Sequence, residues 1–304
     1  MKNQIQTILL LILLLAMAFC VPMAANAQTS SFGAGYFQNQ YIVNPAMAGL
    51  KSTELNINTA YNRESTSVSN GAKTVSFTAD YGLNNAVGLG FNLLLDKVGA
   101  LSTTRIMGSY AYQLKLNDDN QSLHFGISAG GVQERFNANQ IIGDPSDEML
   151  YNFNDRKMQF EADFGLAFQY NGFTLQAVSP NLVSTLRNTE KTVLSQGTLV
   201  ASAAYKFGFG DAGNPVHVEP KVAFRSFKGL KSIIDAGANV DFVQNTINIY
   251  GLYHSNKSVT AGIGFKVLDA FQISGAYNSG SDGFSGGTLG SSFELGLRFF
   301  TSRR

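Results

Sequence analysis

The residues best suited to chemistry in this chain are few and scattered. Three histidines occur, His124, His217 and His254, and each could serve as a general acid or base near neutrality. None stands in an H-E-x-x-H metal site or beside a G-x-S-x-G nucleophile elbow. By strand alternation His124 and His217 point to one common side, while His254 is expected at a loop. An acyl-transfer centre would need a serine and an orienting carboxylate from other segments, so the expectation is a chain that is not an enzyme. Gly208-Phe209-Gly210-Asp211-Ala212-Gly213 satisfies G-x-G-x-x-G, but Asn214-Pro215 and an extended segment follow where a pyrophosphate site needs a helix N-terminus. It reads as a glycine-rich turn. Gly143 to Glu148 gathers carboxylates without the spacing of a calcium loop and reads as solvated. No cofactor or metal is expected.

A second set of ionisable residues recurs at alternate positions between apolar ones. Glu219, Lys221 and Arg225 interleave with Val218, Val222 and Phe224, and Asp235 and Asp241 interleave with Ile234, Val240 and Phe242. Asp80, Glu161, Asp163, Lys266, Glu294 and Arg298 follow the same rule. Period-two spacing puts each of them on one face of a strand, opposite the apolar face. Both signs are present, so these residues suit pairing across neighbouring strands better than a charge-selective ring.

The elements that carry them are strands throughout. From Met158 to Tyr170 the apolar positions Phe160, Ala162, Phe164, Leu166, Phe168 and Tyr170 alternate with Gln159, Glu161, Asp163, Gly165, Ala167 and Gln169. About fourteen such segments run from Thr53 to Phe299, an even number of the kind bacterial single-chain barrels use. Their outward series include Leu55 to Tyr61, Val75 to Tyr81, Val87 to Leu95, Ile106 to Leu114, Val259 to Val267 and Phe293 to Phe299. The connections sort by parity. Loops at Leu83-Asn84-Asn85, Asn117-Asp118-Asp119, Asn171-Gly172, Gln244-Asn245 and Leu268-Asp269 are short, with Gly208 to Pro215 the longer exception. The long ones, Arg63 to Ala72, Arg135 to Arg156, Ser179 to Thr192 and Ser279 to Gly290, alternate with them. Outer-membrane barrels sort their loops in this way, with the short turns in the periplasm. The expected fold is therefore an all-β, transmembrane, antiparallel up-and-down β-barrel of about fourteen strands, spanning residues 51–304, in the bacterial outer membrane with both chain ends in the periplasm.

Composition agrees. The chain of 304 residues has 14% charged residues, a net charge of +1, 31 Gly and 23 Phe. A charged fraction below the roughly 25% of soluble domains fits a surface partly turned to lipid, and near-neutrality gives nucleic acid nothing to bind. Residues 1–27 read as a cleaved signal peptide, with Lys2, an apolar run from Ile8 to Phe19 and Ala25-Asn26-Ala27 before the cut. The single cysteine, Cys20, lies within it. Residues 28–50 form an N-terminal periplasmic segment, and Asn44-Pro45 within it is a turn signal. The lumen is expected to be largely filled by paired side chains, with this segment tucked against its periplasmic mouth. In the Arg135 to Arg156 loop, Ile141, Ile142, Met149, Leu150 and Tyr151 form an apolar cluster suited to a protein contact.

Gln40, Tyr41, Asn44, Pro45, Ala46, Ala48 and Gly49, set just after the signal peptide, resemble the signature of the PorP/SprF family; Met47 departs from the aromatic residue frequent there. The resemblance implies an outer-membrane component of the type IX secretion and gliding machinery of Bacteroidota. It also implies partners: secreted cargo with a C-terminal sorting domain, or other components of the same apparatus, besides outer-membrane lipid. A barrel filled with charge suits protein binding better than service as the conduit. A diffusion porin or small-solute transporter is the alternative.

Overall fold

The computed structural model describes residues 37–65, 71–117, 120–137, 140, 148–187, 197–210, 215–227, 231–242, 246–268, 270–282 and 288–301. Residues 1–27, expected to be a signal peptide, residues 28–36 and the cluster members Ile141 and Ile142 lie outside them.

The described residues form fourteen wall strands: β1 (Leu55–Ser65), β2 (Lys73–Gly82), β3 (Val87–Val98), β4 (Leu101–Asn117), β5 (Gln121–Phe136), β6 (Gln159–Tyr170), β7 (Phe173–Ser179), β8 (Gly197–Tyr205), β9 (Val216–Phe227), β10 (Ile233–Phe242), β11 (Ile247–His254), β12 (Val259–Leu268), β13 (Phe271–Asn278) and β14 (Ser291–Phe300). Each pairs antiparallel with its sequence neighbour, and β1 pairs with β14 from Asn56↔Phe300 to Ser65↔Ser291, which closes the sheet into a barrel. Closure leaves no edge strand to meet hydrocarbon. Beyond Lys206 the short strand Phe207–Phe209 continues β8 and pairs with Val216–Val218. The turn that looked too long for its side is thus partly wall.

The alternation sorts side chains as period two requires. Phe164, Leu297, Ile273, Ile263 and Val222 stand exposed on the outer surface, an apolar band that a membrane barrel turns to lipid. Aromatic residues flank the band. Tyr81, Tyr112, Tyr205 and Phe271 lie toward the end that holds Leu50 and Thr301, here called the terminal end, and Tyr61, Tyr253, Tyr277 and Phe293 toward the opposite end. Phe271–Phe299 and Tyr277–Phe293 meet across strands at 5.0 and 4.9 Å between ring centroids. Inside, buried polar and charged side chains dominate, and apolar clusters are as small as Tyr41, Ala48 and Ala111. This inverts the soluble pattern.

The ends differ. At the terminal end Asn171 and Gly172 have φ of 45° and 86°, the positive values a tight two-residue hairpin demands. At the opposite end β4 and β5, of 17 and 16 residues, outrun every other strand and carry helix α1 (Glu148–Asn154). Phe153 packs on Phe136 at 4.7 Å, and Asn154 bonds both the N–H and the carbonyl of Phe136 at 2.7 and 2.9 Å. Helix α2 (Leu182–Arg187) follows β7 and packs against β6. Asn181 N–H donates to Asp163 (2.9 Å) and Ser184 N–H to Glu161 (2.9 Å).

Candidate functional site: a plugged lumen

The segment expected at the mouth lies inside the barrel. Phe37 to Leu50 enters from the terminal end as two 3₁₀ turns, Gln40–Ile42 and Pro45–Met47. Asn44 starts the second turn. Its Oδ1 accepts from Ala46 N–H at 2.9 Å, and Pro45 at the first helical position forgoes a donor that would have no partner. The same side chain reaches the wall, where Nδ2 donates to the Leu166 carbonyl and to Gln176 Oε1, each at 3.1 Å. Gln176 Nε2 in turn donates to Gln40 Oε1 at 2.7 Å.

Further contacts fix the plug around its circumference. The Tyr41 hydroxyl hydrogen-bonds with Ser109 at 2.8 Å, and Ser109 with Ser128 at 2.6 Å. Burial pushes the Tyr41 phenol well above its ordinary pKa, so it stays protonated. Asn39 donates to Thr78 at 2.8 Å, and Gly49 N–H to Asp80 at 3.0 Å. The wall makes room with glycine. A Cβ at Gly126 would stand 2.1 Å from Ala46 N, at Gly165 2.1 Å from Asn44 Oδ1, at Gly88 2.1 Å from the Ala48 carbonyl oxygen and at Gly90 2.4 Å from the Tyr41 ring. Such distances admit no side chain, so this stretch of wall is shaped to the plug.

The ionisable residues read from alternation all face inward. Arg225 makes a two-point bond to Asp235, at 2.7 and 2.8 Å, with both side chains nearly fully buried. Lys221 lies 3.6 Å from Glu219 and over the Phe37 ring at 4.9 Å. Lys206 pairs with Asp241 at 3.4 Å, and Glu294 accepts from Asn62 at 3.5 Å. Asp163 and Glu161 hold the α2 segment, as described, and Asp163 also takes Arg105 at 2.6 Å. Arg105 was missed although it obeys the alternation of β4. Gln176, Ser109 and Ser128 were missed because neutral side chains carry no signal beyond their parity.

His254 corrects the expectation of a loop residue. It ends β11 with its ring turned inward, Nδ1 2.6 Å from Asp235 Oδ1 and Nε2 2.7 Å from Thr260 Oγ1. Asn278 donates to that same Thr260 oxygen at 2.7 Å. The order carboxylate, imidazole, hydroxyl resembles an acyl-transfer relay. Here the carboxylate is shared with Arg225 and the group is walled in beneath the buried Asn256 and Ser258, so it ties three strands together. His124, also inward and buried, bonds Ser122 at 2.9 Å.

On the terminal side of the plug a cavity of about 710 Å³ is lined by Gln38, Asn39, Lys51, Glu54, Asn58, Asp80, Lys206, Asp241, Lys266, Gln272, Arg298 and Phe300, among others. At the far end, Met149 and Tyr151 on α1 are exposed, 80% and 70%, and Leu150 is half-buried.

A family model described as type IX secretion system membrane protein PorP/SprF matches residues 25–299. No curated protein sequence matches the chain. Among solved structures, CymD, described as a monoaromatic hydrocarbon channel, is similar with a TM-score of 0.50 and 12% identity, over 88% of this chain and 94% of that one. A TodX deletion mutant, also described as a monoaromatic hydrocarbon channel, gives 0.46 and 11%, over 92% and 97%. The outer membrane protein Omp33 of Acinetobacter baumannii gives 0.46 and 9%, over 83% and 99%. At such identity the likeness to CymD is one of fold.

Proposed function

The chain belongs to the PorP/SprF family of type IX secretion system membrane proteins, and on that premise we propose that this outer-membrane barrel serves the machinery as an anchor that binds protein partners and is not itself the conduit. The observation that carries this reading is the plug. Asn44, Pro45, Ala46, Met47 and Ala48 are all buried within the wall. A folded or extended cargo would have to displace them. The reading includes no catalytic step and no cofactor. The partners are secreted cargo or other components of the apparatus, and export, surface retention and gliding are the activities they would serve.

A disulfide staple tests the anchor reading. Ala48 of the plug and Ala111 of the wall belong to one small buried cluster inside the lumen, and the only cysteine of the sequence is Cys20. A chain carrying Ala48→Cys and Ala111→Cys is expected to support cargo export equally when oxidised and when reduced. Export that stops on oxidation and resumes on reduction would mean cargo crosses this lumen.

We further propose that the terminal end, with its short turns, faces the periplasm, and that α1 and the β4–β5 extension face outward. A single cysteine at Gly99 is expected to react with a membrane-impermeant maleimide on intact cells, and one at Leu50 only after the outer membrane is breached. The reverse pattern would invert the assignment.

A further inference from the structure

Three cations stand side by side on the outer wall at the far end. Arg63 of β1 is directly opposed to Lys73 of β2, and Lys73 to Lys97 of β3. Across β4 the same row continues through Ser102 to Arg135 of β5. Neighbouring strands lie roughly 4.8 Å apart, so the first three charges fall within about 10 Å. Like charges directly opposed destabilise a sheet, and the usual reason for lysine at a sheet margin, protection of an open edge, does not apply in a closed barrel. Alternation places the row on the face of Tyr61, Val75 and Leu95, an exposed apolar row two residues deeper in the same strands. Two residues of strand rise are roughly 7 Å, so the cations sit one step above hydrocarbon, at the depth of lipid headgroups. The carboxylates beside them in sequence, Glu64, Asp96 and Glu134, take the opposite parity. Asp96 accepts from Thr74 Oγ1 at 2.7 Å, and Glu64 from the N–H groups of Ala72 and Gly290 at 3.2 and 2.8 Å. Among the described residues no carboxylate forms a salt bridge with Arg63, Lys73, Lys97 or Arg135. The outward row on β1 to β4 at the terminal end is Leu55, Tyr81, Leu89 and Tyr110, none of them charged.

We propose that Arg63, Lys73 and Lys97, extended by Arg135, bind the phosphate groups of an anionic lipid in the leaflet that surrounds the far end. Phosphate oxygens accept charge-assisted hydrogen bonds from each cation, two in parallel from the planar fork of Arg63, and a headgroup with two phosphates can span the row. The acyl chains of such a lipid lie along Tyr61, Val75 and Leu95, and the lysine stems cover the same apolar surface. Charge and position together select this occupant. A lipid meets both the basic row and the apolar row beneath it, whereas a soluble anion meets only the first. Bound phosphate also offsets the repulsion among the cations, which makes the lipid part of the stability of the wall. The site requires only the lipid-facing band and is independent of whether the barrel serves as an anchor.

The full barrel in detergent is equilibrated with tetraoleoyl cardiolipin, which carries two phosphates, or with zwitterionic dioleoyl phosphatidylcholine, and bound lipid is counted by native mass spectrometry. Cardiolipin is expected to bind at least about tenfold more tightly. Arg63→Gln, Lys73→Gln and Lys97→Gln should each weaken it about fivefold, and the triple variant by at least about tenfold. Lys231→Gln, exposed at the same end but outside the row, should leave it unchanged. Folding is checked by heat-modifiable migration on gels, and the single variants decide if the triple variant fails to fold. A second readout is thermal. Cardiolipin should raise the unfolding midpoint of the wild type and leave that of the triple variant in place, while in lipid-free detergent the variant, relieved of repulsion, unfolds no earlier than the wild type. Equal binding of the two lipids, or undiminished cardiolipin binding by the folded variants, would overturn the site. Displacement of cardiolipin by inorganic phosphate at the same phosphate concentration would do so too, in favour of a soluble anion. Tighter binding of polyglutamate than of cardiolipin would replace the lipid with an acidic protein segment.

Discussion

Asn44 shows how one side chain can specify a whole segment. Fully buried, it caps the Pro45–Met47 turn with its oxygen and holds the barrel wall with its nitrogen. Asn44→Ala would leave the Leu166 carbonyl and Gln176 without that donor and the Ala46 N–H without its acceptor. Unmatched buried polar groups cost roughly 1–3 kcal/mol each, so the variant is expected to lose about 2–4 kcal/mol against urea unfolding in detergent, on that same basis. An unchanged midpoint would mean the plug contributes little to stability. The sequence marks Asn44-Pro45 as a turn because the local chemistry is enough for that. It does not tell that the turn sits inside the lumen, because the glycines that admit it, Gly126 and Gly165, read equally well as tolerant positions in any strand. His254 was misplaced for a related reason: a strand's last residue and a loop's first look alike until pairing fixes the boundary.

At the scale of the strand, alternation carries nearly all the information. The outer series Phe293, Leu295, Leu297 and Phe299 and the inner series Ser292, Glu294, Gly296 and Arg298 of β14 were separable by period alone. The same rule should govern tolerance. Leu297→Arg, on the outer face at mid-strand, is expected to cost roughly 2–4 kcal/mol near the bilayer midplane, whereas the neighbouring Gly296→Ala should cost far less. Folding into lipid vesicles, followed by urea titration, measures the difference. Equal costs would argue against a lipid-facing outer surface. The lengths of β4 and β5 were less legible, since Thr103, Thr104 and Arg105 break the apolar series while hydrogen-bonded pairing with β3 and β5 continues through them. Helices α1 and α2 escaped notice because seven and six residues are too few to establish a helical period.

For the molecule as a whole, the balance lies between a lumen that could conduct and the elements that fill it. Gly126→Val aims a side chain at the space held by Ala46, whose N stands 2.1 Å from the glycine's would-be Cβ. The wall is hydrogen-bonded between every pair of neighbouring strands and is expected to survive while the plug leaves. Planar-bilayer recordings should then change from little steady current in the wild type to sustained openings in the variant. A wild type that already conducts steadily, or a folded variant that stays silent, would contradict the plug as the seal. That the wall closes on itself follows from an even number of two-faced strands. What occupies its interior does not follow from periodicity, because any polar inward face is compatible with water, with ions or with a segment of the same chain.

The stopper is leashed. Gly49, which lies against Tyr81 and Gly88 at the rim, is joined to the start of β1 through only Leu50 to Glu54. A tether fixed at one rim allows withdrawal in one direction alone. Whatever tugs this cork loose must therefore act from the compartment at that rim, and no ligand arriving at the far rim could draw it out.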